Sequence, residues 1–232
     1  MKNIIIISIS FLFTISCSDD KGTDNPIVDS TVSFEINESN IWYYNWVTVN
    51  GQDTVIDGNN TIFVKDTATI NGYKCFIEDD NSDRFPTLYA IRTDEEGYYN
   101  YNKYFYESIK DRLPHFEDDW LKQISFNEED WTEYDLRNKY SEDGITYITE
   151  LTSKGKLEKY IDIEYKGDIL KAMITSYHLI LIETKIENGI TDIDTSGYAY
   201  EYTVIKDVGI YKYHDIRYGD TVNYYRELYD HK

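Results

Sequence analysis

Apolar and polar residues alternate with a period of two in several places along the chain, and Tyr198, Tyr200 and Tyr202 form one such row. The runs 41–49 and 61–70 are rich in aromatic and β-branched residues, and an Asn-Gly pair follows each, at 50–51 and 71–72. Asn-Gly between two such runs is a strong hairpin signal, because both central residues of a type I′ turn need positive φ. The pattern therefore predicts antiparallel hairpins.

Three further pairs of apolar runs flank turn residues in the same way. They are 88–92 with 98–106 across DEEG, 156–165 with 170–186 across Lys166-Gly167-Asp168, and 210–216 with 221–228 across Tyr218-Gly219. The whole run 169–186 predicts one long bent strand or two, since its Ile, Thr and Tyr residues favour strands over a helix.

Helix-start chemistry is found in one segment, residues 127–138. Asn127 could act as an N-cap there, and acidic residues fill the first turn. We therefore expect at most one or two short helices beside the strands.

The strand pattern predicts an all-β fold, mainly an antiparallel meander. A sheet of about ten strands has to hide its edges by closing or curling over itself. The chain has only three prolines with which to protect exposed edges. We expect a β-barrel or half-barrel, with a two-sheet sandwich as the alternative.

The first sixteen residues have a different pattern. Lys2 is followed by the uncharged run 4–15 and then by the small residue Ser16. A positive start, a short apolar run and a small residue at the cut are typical of a secretory signal peptide. The run is too short for a transmembrane helix, which needs about 20 apolar residues.

The residues around Cys17 carry a family resemblance. The sequence TISC at 14–17 resembles the lipobox of bacterial lipoproteins, and SDD at 18–20 is similar to the acidic export signal of Bacteroidota lipoproteins. Thr14 stands where leucine is usual, a departure that Bacteroidota tolerate. The resemblance implies cleavage after Ser16 and acylation of Cys17, for example with palmitate. It also implies an outer-membrane, lipid-anchored protein at the cell surface, with the periplasmic face as the alternative.

These features divide the chain into three parts. Residues 1–16 are expected to be the signal peptide, and 17–30 the lipidated cysteine with an acidic tether, because Gly22, Pro26 and polar residues leave little to bury there. Residues 31–232 are expected to form one β-rich extracytoplasmic domain.

A second resemblance spans most of this domain. The stretch FEINESNIWYY at 34–44 and the stretch KDVGIYKY at 206–213, with Glu227-Leu228 after it, are similar to the opening and closing strands of many uncharacterised bacterial lipoproteins. Ser39 and Asp207 stand where glycine is commoner in that group. The resemblance implies a β-rich extracytoplasmic domain and brings no established activity or catalytic residues.

The charge of the chain limits its partners. With 43 acidic and 23 basic residues, the formal net charge is −20. Such a chain is repelled by nucleic acid and by anionic lipid, so we expect contact with the membrane through the lipid anchor alone. We expect a monomer whose partner is a glycan, a lipid or an envelope protein.

Motifs of common catalytic and phosphate-binding sites are absent from the sequence, so we expect no enzyme activity and no cofactor. A hydrolase that uses dispersed carboxylates is the alternative. Cys75 lies in the alternating run YKCFI and is expected to be a buried, inert thiol. The acidic stretches 79–83 and 192–197 resemble calcium loops but lack the glutamate at position 12, so we expect solvated turns and no metal site.

Tyrosine is unusually abundant, with 24 residues. It suits a half-buried strand surface, and it also suits a platform for sugars or peptides. The chain is therefore expected to be a non-enzymatic ligand- or partner-binding protein or to have a structural role in the envelope, and glycan binding through tyrosine-rich strands is an alternative. The candidate ligand-face residues are Tyr98, Tyr99, Tyr101, Tyr198, Tyr200 and Tyr202.

Overall fold

The computed structural model describes residues 32–50, 53–80, 87–101, 103–117, 120–217 and 223–232. Within these ranges the chain forms twelve strands and one helix. The strands are β1 Ile41–Asn50, β2 Asp53–Ile70, β3 Tyr73–Asp80, β4 Thr87–Thr93, β5 Gly97–Tyr101, β6 Trp120–Ser125, β7 Asp130–Glu142, β8 Ile145–Tyr165, β9 Asp168–Glu187, β10 Ile190–Ile205, β11 Gly209–Arg217 and β12 Asn223–His231, and the helix is α1 Lys103–Ile109. The predicted signal peptide, Cys17, the tether and the turn residues Gly51, Tyr218 and Gly219 lie outside the described residues.

The strands form one antiparallel sheet that nearly closes into a barrel. Their order is β6-β5-β4-β3-β2-β1-β12-β11-β10-β9-β8-β7, so all strands that are consecutive in the chain pair except β6 with β7, and β1 also pairs with β12. Among the described strands, only β6 and β7 have no ladder joining them around the barrel. The prediction of an all-β meander closed as a barrel is confirmed, and the sandwich alternative is not formed.

The hairpin turns use left-handed backbone at the predicted positions. Asn71-Gly72 joins β2 to β3 with φ of 51° and 83°, and Lys166-Gly167 joins β8 to β9 with φ of 53° and 90°. Two further turns, Asp143-Gly144 and Asn188-Gly189, have the same geometry. Positive φ at both central residues matches the right-handed twist of the strands, and this explains a second-position glycine in all four turns.

The segment before β1 closes one end of the barrel, which we call the N-terminal end. Val32, Phe34 and Ile36 are buried there, and the Asp207 amide donates a hydrogen bond to the Ser33 carbonyl at 2.9 Å. The Phe34 ring lies 5.9 Å from that of Tyr98. Apolar burial of alternate residues thus holds this strand-like segment across the barrel opening.

The connection between β5 and β6 covers part of the barrel interior at the other end, which we call the helix end. Ile109, Leu113 and Phe116 are all buried, and the Phe116 ring packs edge-on against Tyr134 of β7 at 4.8 Å. The Asn138 side chain donates to the Arg112 carbonyl at 2.8 Å. No helix in the described ranges is long and apolar enough to cross a bilayer.

One predicted helix and one predicted strand are wrong. Residues 127–138 do not form a helix, because most of the segment belongs to β7, which pairs with β8 from Asp130 to Glu142. The predicted strand 98–106 ends at Tyr101, and α1 follows. In both cases tertiary packing overrides local propensity: Trp131 is buried from a strand, whereas the spacing of Phe105 and Ile109 places both on one helix face toward the core.

Side chains bridge the seam between β6 and β7. The Trp131 indole donates to the Lys122 carbonyl at 2.9 Å, and the Lys122 amide donates to the Glu133 carboxylate at 2.7 Å. Gly155 of β8 lies under the Trp131 ring, and a Cβ there would approach ring carbons to 2.0 Å. The missing ladder is therefore replaced by specific side-chain contacts with the exposed backbone groups.

A polar cavity inside the barrel as the candidate functional site

A cavity of about 140 Å³ lies inside the barrel, between the N-terminal segment and the inward faces of several strands. Half of the sixteen described residues that line it are aromatic. Strand side chains alternate between the two faces of a sheet, so Tyr200 and Tyr202 of β10 and Glu78 and Asp80 of β3 all point inward. The wall therefore combines rings with charged groups.

An ion pair is fixed in this wall. Asp80, 2% exposed, accepts a hydrogen bond at Oδ1 from the Asn60 amide at 2.8 Å, and its Oδ2 lies 2.7 Å from Nη1 of Arg226. The Arg226 guanidinium stacks 4.2 Å from the ring centroid of Trp46. Both charges are thus held by partners, which is the condition for burying them.

Glu78 lies two residues before Asp80 on the same face of β3, but its carboxyl group has no such partners among the described residues. No hydrogen bond or ion pair joins it to another residue in the part of the chain that the structure describes. Burial raises the pKa of Glu78 from 4.5 to about 8; the positive charge of Arg226 opposes this rise and the negative charge of Asp80 adds to it. The carboxyl group is therefore mainly protonated at neutral pH.

The cavity tyrosines differ in what their hydroxyl groups contact. Tyr44 donates to the Ile210 carbonyl at 2.7 Å, Tyr202 donates to Oε1 of Gln123 at 2.7 Å, and the hydroxyls of Tyr200 and Tyr213 bond to each other. Burial raises the pKa of each of these phenols, so all of them are neutral.

Two further polar side chains face the cavity without a hydrogen bond to the described residues. These are Tyr98 of β5 and Asn100, two residues farther along the same strand. Burial raises the pKa of Tyr98 well above its usual value, and the negative charge of Glu78 adds to this effect. Together with Glu78, they form a group of hydrogen-bonding atoms that face one cavity.

The six tyrosines that the sequence analysis names as a candidate ligand face do not lie together in the structure. Tyr98, Tyr200 and Tyr202 line the cavity, and Tyr198 packs beside Tyr200 at 4.8 Å and against Phe105 of α1. The row on β10 therefore faces the barrel interior and is not an exposed platform.

The other two tyrosines pack in a second cluster. Tyr99 and Tyr101 pack with Trp120 and Cys75, away from the cavity. Cys75 is fully buried, its thiol lies 3.5 Å from the Ala68 carbonyl, and burial raises its pKa. A buried thiol with a raised pKa is unreactive, as the sequence predicts.

The two stretches that resemble calcium-binding loops, 79–83 and 192–197, adopt different structures. Residues 192–197 lie within β10 and pair with β9, so the predicted turn is wrong and the segment is a strand. In the first stretch, Asp79 pairs with Lys65 at 2.7 Å and Asp80 with Arg226, while 81–83 lie outside the described residues. No cluster of three or more metal-ligating side chains occurs among the residues that are described.

Glu78, Asp80 and Arg226 are the charged cavity residues, and sequence reasoning missed all three. The alternation of side chains along β3 could have indicated Glu78 and Asp80. These residues alternate with the outward residues Ile77 and Asp79 and share a face with Phe76. Acidic residues on the apolar face of a strand are unusual. That signal was masked by the many acidic residues elsewhere in the chain.

Comparison with known proteins gives two structural likenesses. No protein-family model and no curated protein matches the chain in sequence. A protein from Bacteroides fragilis, provisionally described as exported and as having a YmcC-like fold, aligns with a TM-score of 0.40 and 9% identity, over 87% of this chain and 99% of that chain. A provisionally described lipoprotein from Parabacteroides distasonis aligns with a TM-score of 0.40 and 10% identity, over the same shares of the two chains. This chain is similar to both, and at such a TM-score the likeness carries no argument about its function.

Proposed function

We propose that this chain is a non-enzymatic lipoprotein, anchored in the outer membrane through Cys17, whose barrel binds a small ligand in its interior cavity. The lipobox resemblance at 14–17 and the acidic residues at 18–20 support the anchor and a position at the cell surface. The cavity supports the binding role.

The observation that carries the binding role is the group of polar side chains without hydrogen bonds in the cavity wall. Polar side chains in a pocket wall that make no hydrogen bond to the protein leave their donors and acceptors available to a ligand. Glu78, Tyr98 and Asn100 all face the same space. Convergent polar groups in a largely aromatic pocket are the usual composition of a small-molecule site.

The size of the cavity limits the size of the ligand that it can hold. Its volume of about 140 Å³ is close to the roughly 150 Å³ of protein cavities that hold one benzene molecule. A single ring with a short substituent matches this space, whereas an acyl chain or an oligosaccharide would have to extend out of the cavity. The inward direction of Tyr200 and Tyr202 likewise disfavours capture of a glycan on an open tyrosine surface.

A hydrolase is the second candidate, because Glu78 and Asp80 place two carboxyl groups in one cavity and Glu78 has a raised pKa. The contacts of Asp80 are unfavourable for a hydrolase mechanism. Both of its oxygens are bound, by Asn60 and Arg226, so it has no free oxygen for a nucleophile or base. The binding function therefore has the better support.

The proposal is tested by screening single-ring compounds against the full-length chain in non-ionic detergent, with ligand-observed NMR as the measurement. In Ile62→Phe a cavity residue is enlarged, and binding should be lost. Thr69→Phe introduces the same ring at an exposed position on the same strand and should bind as wild type does.

Ile210→Phe, on β11, serves as a second filled variant if Ile62→Phe unfolds. Hits that bind both filled variants as well as wild type would place binding outside the cavity and contradict the proposal. Turnover of chromogenic glycosides that disappears in Glu78→Gln would support the hydrolase instead.

A further inference from the structure

The charges and rings of the cavity identify a class of ligand. Resting on the proposed binding function, we infer that the ligand is a small organic cation whose charged group contacts the Glu78 carboxylate and whose apolar part packs against the tyrosine rings.

The first argument is the charge balance of the wall. The cavity holds two acids and one base, and Arg226 is already paired with Asp80 at 2.7 Å. Glu78 remains as the acid without an ion-pair partner in the described part of the chain. A ligand of charge +1 completes the balance, and the net charge of −20 on the whole chain favours the approach of cations.

The second argument is the ring content. Aromatic faces attract cations through their quadrupole, most strongly where water is excluded. The protein already uses this contact inside the barrel, since the Arg226 guanidinium lies 4.2 Å from the Trp46 ring centroid and 5.7 Å from that of Tyr213. Tyr44, Tyr98 and Tyr200 extend the same wall around the remaining space.

The third argument concerns the proton on Glu78. The groups that act on its carboxyl are Asp80 on the same strand and Arg226 on β12. Tyr44 on β1, Tyr89 on β4 and Tyr98 on β5 also line the cavity. Of all these groups only Arg226 is positive, and it is bound to Asp80.

A cationic ligand would supply the missing positive charge and make the ionised carboxylate favourable. A neutral ligand leaves the cost of burying that charge in place. An anion would meet two acids and one base that is already neutralised.

Three compounds of nearly equal shape and different charge test the inference: phenethylamine, 2-phenylethanol and phenylacetate. Calorimetric titration of the full-length chain in non-ionic detergent at about pH 9 keeps Glu78 ionised and the amine protonated. The amine should bind at least about tenfold more tightly than the alcohol, because hydrogen bonds to charged groups are stronger than neutral ones. Phenylacetate should bind least.

Glu78→Gln keeps the shape of the side chain and removes its charge. It should abolish the preference for the amine while leaving binding of the alcohol within about twofold of wild type. Asp79→Asn is the matched control, because this neighbouring acid on β3 faces away from the cavity and pairs with Lys65. It should keep the full preference, and thermal unfolding of each variant checks the fold.

The outcomes separate this inference from the proposed function. Equal or tighter binding of the alcohol or of phenylacetate overturns the cation class and leaves a ligand-binding cavity. A preference for the amine that survives Glu78→Gln overturns the role of Glu78 and with it the inference. If none of the three compounds binds and the single-ring screen also gives no cavity-dependent hit, both the inference and the binding function are wrong.

Discussion

Glu78 and Asp80 lie two residues apart on β3, and both face the cavity. Their carboxyl groups differ in the partners that they contact. Asp80 has partners for both oxygens, whereas Glu78 has neither a hydrogen bond nor an ion pair among the described residues. Burial therefore raises the pKa of Glu78 to about 8. The burial that supports a binding role for Glu78 also reduces the stability of the folded protein at neutral pH.

Glu78→Gln should reduce the loss of stability at high pH. The carboxyl titrates near 4.5 in the unfolded chain and near 8 in the folded protein, so between these values the folded state holds a proton that the unfolded state lacks. Raising the pH through this window destabilises the fold, by on the order of a few kcal/mol, and below it the two states bind the same number of protons at this site.

The measurement is the melting temperature of wild type and variant from about pH 4.5 to pH 8.5, the window that the two pKa values of Glu78 define. The difference in favour of Glu78→Gln should grow as the pH rises. Asp79→Asn, which faces away from the cavity, should follow the wild-type curve. Parallel curves for wild type and Glu78→Gln would show that the Glu78 pKa is not raised.

Among the elements, β6 and β7 form the weak point of the barrel. No ladder joins them, and the Trp131 indole and the Glu133 carboxylate reach the backbone of Lys122 instead. Gly155 of β8 leaves room for the Trp131 ring, which shows that a third strand helps to hold the seam closed. A single methyl group at this position would disturb three strands.

Gly155→Ala should destabilise the protein by about 1 to 3 kcal/mol, the usual cost of overpacking a core. The new Cβ would lie 2.0 Å from a Trp131 ring carbon, so the indole has to move and its hydrogen bond to the Lys122 carbonyl is strained or lost. Urea unfolding measures the change. Amide hydrogen exchange along β6 should become faster at the same time.

Lys154→Ala is the control for this change, because the side chain is exposed next to Gly155 on the same strand. It should stay within about 0.5 kcal/mol of wild type, as surface substitutions usually do. A Gly155→Ala variant as stable as the control would mean that the Trp131 contact does not hold the seam.

For the molecule as a whole, the pairing of β1 with β12 brings the first and last strands together. Ile41 and Lys232 exchange backbone hydrogen bonds of 3.0 and 2.9 Å at the N-terminal end of the barrel. The segment from Val32 enters at this same end. The described chain therefore begins at the end of the barrel opposite the helix end.

Cys17→Ala should release the protein from membranes and abolish labelling with a palmitate analogue, because stable attachment depends on the acyl chains. Cell fractionation and acyl labelling measure the two effects. Cys75→Ala is the matched control: it removes the other cysteine of the chain, which is fully buried, and should leave both readouts unchanged. An unchanged membrane fraction for Cys17→Ala would contradict the lipoprotein assignment.

Local patterns predicted those parts of the fold that depend on neighbouring residues. The strand at 169–186 and the turns at Asn71-Gly72 and Lys166-Gly167 were predictable because strand propensity and positive φ are properties of short segments. Residues 127–138 and α1 were misread because their local propensities conflict with their packing partners, which are distant in the chain. The six candidate tyrosines were readable as rows, but not as facing a cavity or a second cluster.

The amino-acid sequence was sufficient for the all-β meander, since turn conformation and the period of two are properties of short segments. It was also the whole basis for the proposed lipid anchor at Cys17. The closure of β1 on β12, the seam at Trp131 and the cavity required the folded barrel, because they bring together residues far apart in the chain. The raised pKa of Glu78 belongs to the same group, because it depends on water being excluded by surrounding strands.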